Sequence, residues 1–142
     1  MAKINVRGVL LGGVAAGLVI FAINGVVNGL ILNGGFQTWA LGMGSLIHPA
    51  PRPTAMLLWT LMCLLYGIVG VWIYAGMRPR YGAGPGTALL AGLLLWIAGK
   101  LTVALDFTAL GLLPAGLVAG QLIGGFVALM LGVTCGAWLY RE

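Results

Sequence analysis

Few side chains in the apolar part of this sequence could do chemistry, and the most reactive is the amine of Lys100. An ionisable side chain inside a long apolar run points to a functional site, because a charge is costly to bury in hydrocarbon. The amine could bind an anion, act as a proton-linked switch or receive a carboxylate of a partner protein. Alternatively, Lys100 snorkels to the outer headgroups, although the tilt of its Cβ works against that direction.

Other polar residues are expected at the same depth as Lys100. Counting about 1.5 Å per residue from each predicted helix end places four of them roughly 21 to 29 Å above the cytoplasmic boundary. They are Asn24, Thr60, Lys100 and Gln121. Asn24 and Asn28 are four residues apart and share a helix face, where interhelical hydrogen bonds are their simplest use. The sequence therefore predicts a polar layer that a small transporter or channel could use.

The remaining reactive residues form no recognisable catalytic or metal-binding pattern. His48 is the only histidine; it could ligate one pigment magnesium, and a hydrogen-bonded loop histidine is the simpler interpretation. Cys63 and Cys135 lack Cys-x-x-Cys spacing and are expected to be unbridged packing residues. The chain lacks a nucleophile and base pair and a cofactor motif. We predict no catalytic residue, no metal site and no cofactor, with bound lipid or pigment left open.

The glycine-rich turn from Arg78 to Thr87 resembles a phosphate-binding loop only superficially. No strand is predicted before it and no Gly-Lys-Ser/Thr follows it, so the context of a P-loop is missing. Turn formation and the start of a helix explain the glycines. The two arginines of the turn, Arg78 and Arg80, are expected to bind anionic lipid headgroups.

The composition is that of an integral membrane protein. Of 142 residues, 61% are hydrophobic and only 6% are charged, whereas charged residues make up about a quarter of soluble domains. Crossing a hydrocarbon core of about 30 Å takes roughly 20 apolar residues in a helix. Four segments qualify, at about 8–32, 54–77, 86–108 and 114–140. We predict an all-α, four-transmembrane-helix bundle that forms a single membrane domain over residues 1–142.

The basic residues indicate topology. The formal charge of +5 is spread along the predicted membrane edges, which argues against a nucleic-acid partner. One side of the membrane carries Lys3, Arg7, Arg78, Arg80 and Arg141, and the other carries Arg52 with His48. By the positive-inside rule both termini face the cytoplasm, as in a multi-pass protein of the bacterial inner membrane.

Small residues recur at every fourth position of the fourth segment. The stripe consists of Gly116, Gly120, Gly124, Ala128, Gly132 and Gly136. Such spacing lets helix backbones approach each other closely in lipid. Because four residues advance a helix by about 400°, the stripe winds around it, and we expect its two halves to pack against different neighbours. The first segment repeats the theme with Gly8, Gly12, Gly25 and Gly29.

Two pairs of short patterns suggest an internal repeat. The second and fourth segments end alike, in 70–74 (Gly-Val-Trp-Ile-Tyr) and 136–140 (Gly-Ala-Trp-Leu-Tyr). The first and third begin with related patterns at 10–13 and 89–92. They are consistent with two tandem helical hairpins in the same orientation, or with chance combined with the preference of Trp and Tyr for membrane interfaces.

The stretches 72–82 and 85–92, together with 136–140, carry a family resemblance. They resemble those of a group of small four-span bacterial membrane proteins that have no assigned activity. The resemblance covers about a quarter of the chain and implies the four-span topology. With short loops and glycine grooves, the function we expect is that of a non-catalytic accessory subunit that packs against other transmembrane proteins, or against itself, and against membrane lipids. Respiratory and photosynthetic complexes are candidate assemblies, and a small transporter or channel is the alternative.

Overall fold

The computed structural model describes residues 4–140, and within that range every regular element is a helix. Four helical spans are long and apolar enough to cross a membrane. Span 1 is Val6–Ile31, span 2 is Arg52–Tyr81, span 3 is Pro85–Ala109 and span 4 is Ala115–Leu139. The prediction of an all-α chain with four long apolar helices is confirmed, with helix ends that differ from the predicted ones by at most four residues. The predicted topology residues Lys3 and Arg141 lie outside the described range.

Two of the spans contain a π-helical turn. Span 1 consists of helix α1 (Val6–Val26) and the first π turn (Val27–Ile31), and after Leu32 the chain continues into α2 (Asn33–Met43). Span 2 is the single helix α3 (Arg52–Tyr81). Span 3 consists of α4 (Pro85–Trp96), the second π turn (Ile97–Leu101) and α5 (Thr102–Ala109), and span 4 is α6 (Ala115–Leu139). A 3-10 turn, Gly44–Leu46, follows α2.

Helix ends follow local chemistry. The Asn5 side chain accepts a hydrogen bond from the Gly8 amide at 3.1 Å and caps α1, as short polar side chains commonly do. Helix α3 continues through Pro79 to Tyr81, four residues beyond the predicted end at residue 77. It closes with the Gly82 amide donating to the Arg78 carbonyl at 2.9 Å. Gly82 adopts φ +84°, a conformation that favours glycine.

The four spans pack unevenly along their length. Span 1 packs against spans 2 and 4, and α4 packs against the same two spans. The buried side chains form two clusters, one of which contains Val9, Val71 and Val133 and the other Ile20, Cys63 and Leu129. No residue of α2, α5 or either π turn is buried. The bundle is thus tight in one half and open in the other.

The tight half ends in a cluster of arginine and aromatic side chains, which we call the basic end. The Tyr74 and Tyr140 rings meet edge to face with centroids 6.2 Å apart. The Arg78 guanidinium lies 5.3 Å from the centroid of the Tyr140 ring, within cation–π range. The Asn5 amide donates to the Tyr140 hydroxyl at 3.2 Å, so residues 5 and 140 meet beside the last turns of span 2.

The opposite end of the bundle, the far end, is built by α2 and the turn between spans 3 and 4. The Trp39 indole N–H donates to the Leu112 carbonyl at 2.9 Å and attaches α2 to that turn. The loop with His48 and Arg52 also lies at this end.

The residues paired by the two repeat patterns lie close together for one pattern and at different levels for the other. Tyr74 and Tyr140, which end the matching segments 70–74 and 136–140, lie side by side. An alignment of the two segments on the shared pattern at 10–13 and 89–92 pairs Val27 with Asp106. In the structure Val27 lies instead at the level of Lys100, because these two residues contact the adjacent residues Gly124 and Gly125 of span 4. The two π turns therefore lie at one level.

Candidate functional site

Two of the predicted layer residues meet in a cavity between spans 2, 3 and 4. Lys100 and Gln121, two of the four predicted layer residues, both line it. Its volume is about 160 Å³, and its other walls include Tyr66, Gly99 and Met62. We call this space the polar cavity.

Lys100 is directed into the bundle. Its Nζ lies 5.1 Å from the centroid of the Tyr66 ring, and its aliphatic stem crosses Gly125, where a Cβ would meet the stem at 3.4 to 3.6 Å. This direction agrees with the tilt of a helical Cβ toward the helix N-terminus and differs from snorkelling to the far headgroups. No carboxylate of residues 4–140 forms an ion pair with the amine.

The second π turn brings Tyr66 and Lys100 together. It contains both Gly99 and Lys100, and a Cβ on Gly99 would lie only 2.8 Å from the Tyr66 hydroxyl. The missing side chain at residue 99 therefore leaves room for the phenol. Single π turns inside α-helices occur frequently at functional sites, and the sequence alone had indicated no function for Tyr66.

Asn24, a predicted layer residue, and Asn28 lie on span 1 and do not line the polar cavity. The Asn24 side chain lies beside the thiol of Cys63, which is within electrostatic range of Lys100. The Asn28 side-chain amide donates to the Asn24 carbonyl oxygen at 3.0 Å, a bond within span 1 rather than between helices. Asn24 Nδ2 and Asn28 Oδ1 are buried without a hydrogen-bond partner.

Thr60, the remaining predicted layer residue, does not line the polar cavity. Its hydroxyl donates to the Met56 carbonyl oxygen of its own helix at 2.8 Å. The depth estimate for Thr60 started from residue 77, whereas α3 ends at Tyr81; four extra residues displace the estimate by about 6 Å. Cys63 and Tyr66 occupy the level that was predicted for Thr60.

Most of the small residues of span 4 face a single neighbour, span 1. A Cβ on Gly132 would lie 2.5 Å from the Ile20 side chain, one on Gly124 2.6 Å from Val27, and one on Gly120 2.6 Å from Leu32. Gly136 meets the Gly12 carbonyl, and Ala128 is fully buried. The prediction that the two halves of the stripe serve different neighbours is therefore wrong within this chain. Near the basic end spans 1 and 4 touch through their backbones, whereas toward the far end the side chains of Val27 and Leu32 fill the groove of span 4.

Span 4 nevertheless packs on a second side, through residues outside the stripe and through Gly136, whose added Cβ would also lie 2.6 Å from the Val71 side chain of span 2. Val133 meets Gly70 of span 2, Leu129 meets Gly92 of span 3, and Gly125 meets Lys100. The close backbone approach between Gly67 of span 2 and Gly13 and Gly17 of span 1 was also missed. The four-residue spacing of Gly13 and Gly17 could have indicated it.

Three of the predicted packing glycines are open. No atom lies within 4 Å of a Cβ placed on Gly25, Gly29 or Gly116, so these residues face away from the described part of the bundle. Gly8 is partly buried, and its amide serves the Asn5 cap.

The residues predicted to contact lipid or pigment lie at the two ends of the bundle. Arg78 packs against the Tyr74 and Tyr140 rings, whereas Arg80 is exposed. His48 is exposed, with Nδ1 2.9 Å from the Ile47 carbonyl oxygen. Within residues 4–140, no group of three or more His, Cys, Asp or Glu residues could hold a metal ion. Cys63 and Cys135 are free thiols.

The chemistry of the polar cavity is that of hydrogen-bond donation. An amine, a phenol and a carboxamide line it, and the first two groups lie close together. Such a set is suited to binding a ligand that carries acceptor oxygens. Comparisons of this chain with protein-family models, with curated proteins and with solved structures find no match.

Proposed function

We propose that this chain is a non-catalytic accessory subunit of a larger membrane-protein assembly in the bacterial inner membrane. Respiratory and photosynthetic complexes are the assemblies to test first. The chain contributes a compact set of four spans, and its contact surface lies at the far end.

The distribution of arginine supports an orientation with both termini in the cytoplasm. Arg7, Arg78 and Arg80 belong to the basic end, where residues 5 and 140 also meet. The far end has Arg52. By the positive-inside rule the basic end faces the cytoplasm.

The observation that carries the proposal is a set of exposed apolar side chains at the far end. Leu41 is 83% exposed and Leu110 is 70% exposed. The set, which we call the far-end surface, consists of Leu41, Leu46, Leu110 and Leu112. Exposed apolar patches that are not covered by lipid commonly mark contacts with other proteins.

The length of span 1 places α2 beyond the reach of acyl chains. Its 26 residues extend about 39 Å at 1.5 Å per residue, whereas the hydrocarbon core is about 30 Å thick. A typical tilt of about 20° shortens the vertical extent by only a few ångströms. Helix α2 follows this span, so the side chains of Leu41 and Leu46 meet headgroups and water unless a partner covers them. Each gains about 1.5–3 kcal/mol on full burial.

The open glycines supply a second contact within the membrane. Gly25 and Gly29 are four residues apart on the outside of span 1, and a Cβ added at either would have no atom within 4 Å. A transmembrane helix of a partner can approach such a face closely. We assign this face to the same assembly as the far-end surface.

The test is solubilisation of native membranes in a mild detergent, followed by native electrophoresis and mass spectrometry. We expect wild-type protein to migrate within a larger particle and the variant Leu41→Gln/Leu46→Gln to migrate alone. The matched control is Tyr81→Gln, which replaces an exposed aromatic side chain at the basic end and should leave the particle intact. A solitary wild-type protein, or a particle that retains the Leu41→Gln/Leu46→Gln variant, overturns the proposal.

A small transporter or channel is the second candidate, and the placement of Lys100 and Gln121 in one cavity favours it. Flux of a small anion through proteoliposomes that is lost in Lys100→Met, with assembly unchanged, would select this function. Equal flux in wild type and Lys100→Met would reject it.

A further inference from the structure

The polar cavity adjoins an apolar groove on the outside of span 2. The groove is lined by Leu58, Leu61, Met62, Leu65, Tyr66, Val69 and Leu95. Met62 and Tyr66 line both spaces, so one ligand can occupy the two together. From Leu58 to Val69 the groove follows about 16 Å of helix.

The polar cavity has donors and a positive charge without a matching anion. Lys100 has no ion-pair partner among residues 4–140, and Gln121 and Tyr66 add groups that can donate hydrogen bonds. An ammonium group in a low-dielectric site is costly unless a counter-charge accompanies it. A ligand with an anionic, oxygen-bearing head supplies that counter-charge.

Size restricts the head of the ligand. The cavity has a volume of about 160 Å³, and the carboxylate of a single-chain lipid fits this space. The adjoining groove, lined almost entirely by apolar side chains, suits one acyl chain.

We propose that the polar cavity and the groove together bind a long-chain carboxylic acid taken from the bilayer. Its carboxylate lies at Lys100 and Gln121, and its acyl chain lies along Leu61, Leu65 and Val69. This site goes beyond the accessory role, because it uses spans 2, 3 and 4 and none of the far-end surface. A failure of either proposal leaves the other standing.

The experiment uses the full-length protein in nanodiscs of phosphatidylcholine and a palmitate analogue with a diazirine near the end of its tail. After illumination, peptide mapping should place the crosslinks in residues 58–69 and at Leu95. Unlabelled palmitate should suppress them at a concentration at least tenfold lower than hexadecanol, which has the same tail without the charge. Acetate, which has the head without the tail, should not suppress them. Equal competition by hexadecanol, or suppression by acetate, overturns the proposal.

Variants separate the two halves of the site. Lys100→Met should raise the palmitate concentration needed for half-maximal suppression at least tenfold, whereas Arg80→Met, at an exposed arginine of the basic end, should leave it unchanged. Leu65→Trp fills the groove, keeps Lys100 and should weaken binding by a similar factor. Should Lys100→Met fail to fold, as judged by circular dichroism, Leu65→Trp decides the question. Unchanged binding in the folded variant would contradict the proposal.

Discussion

A methyl group added at Gly67 should separate spans 1 and 2. A Cβ at this position would overlap the Gly13 carbonyl oxygen and the Gly17 amide nitrogen, and would lie 2.8 Å from the Gly17 Cα. All three are backbone atoms, so no rotamer change can make room. The Gly67→Ala variant must therefore move one helix away from the other.

The expected cost follows from the contacts that this movement loosens. Bringing the Cβ to an ordinary contact of at least 3.4 Å requires a shift of more than 1 Å, and a gap of 0.5 to 1 Å already forfeits about a quarter to a half of each dispersion well of about 0.1–0.2 kcal/mol. Applied to some 40 atom pairs, about the number that one buried leucine makes, the loss is about 2 kcal/mol. The range for inserting a methylene into a packed core, about 1–3 kcal/mol, agrees.

The assay is reversible unfolding by dodecyl sulfate in mixed micelles, followed by circular dichroism and tryptophan fluorescence. Gly76→Ala is the matched control, because it lies in the same helix and nothing lies within 4 Å of its Cβ position. Alanine has a helix propensity about 1 kcal/mol better than that of glycine, so the control should be neutral or slightly stabilised. A Gly67→Ala protein as stable as Gly76→Ala would refute the close approach of spans 1 and 2.

Two further predictions concern the ends of the bundle. Tyr140→Ala should lower the unfolding free energy by about 3 kcal/mol, because it removes a buried ring that meets Tyr74 and Arg78. Tyr140→Phe should lower it by only about 1 kcal/mol, because it removes the hydrogen bond from the Asn5 amide. The same unfolding assay measures both variants, and equal effects would contradict the ring contacts. Trp39→Phe removes the hydrogen bond to Leu112, worth about 1 kcal/mol, and should speed amide exchange in α2 about fivefold by mass spectrometry while leaving exchange in α3 unchanged.

Hydropathy predicted the number of spans because a helix of about 20 apolar residues has few other uses. It did not predict the end of α3, because Arg78, Pro79 and Arg80 continue the helix without being apolar. The glycine after Tyr81 was the better signal for the end of the helix.

The site could be predicted only in part. The apolar surroundings of Lys100 identified it, and the spacing from a helix start placed Gln121 near it. The contribution of Tyr66 depends on the second π turn, which shifts the phase of the helix by one residue. No pattern of apolar residues in the sequence indicated that shift. The contact of Gly125 with Lys100 was not predicted either, because the sequence drew attention to its neighbour Gly124, which belongs to the stripe and faces the other side of span 4.

The small-residue stripe was recognised from its spacing, but its partner was not. Spacing shows that a helix surface can be approached and does not show by which helix. For Gly132 the partner is Ile20 of the same chain, so a bulky substitution there disrupts this chain's own fold. A test of contacts with other subunits belongs at Gly25 and Gly29 instead.

Unequal packing divides the molecule into a well-packed part, which we call the stem, and a loosely packed part, which we call the crown. The stem contains both buried clusters, whereas the crown, formed by α2, α5 and the π turns, has no buried residue. Segments with few buried contacts open at low free-energy cost. Deformation imposed by an incoming molecule is therefore absorbed in the crown, and the stem keeps its shape.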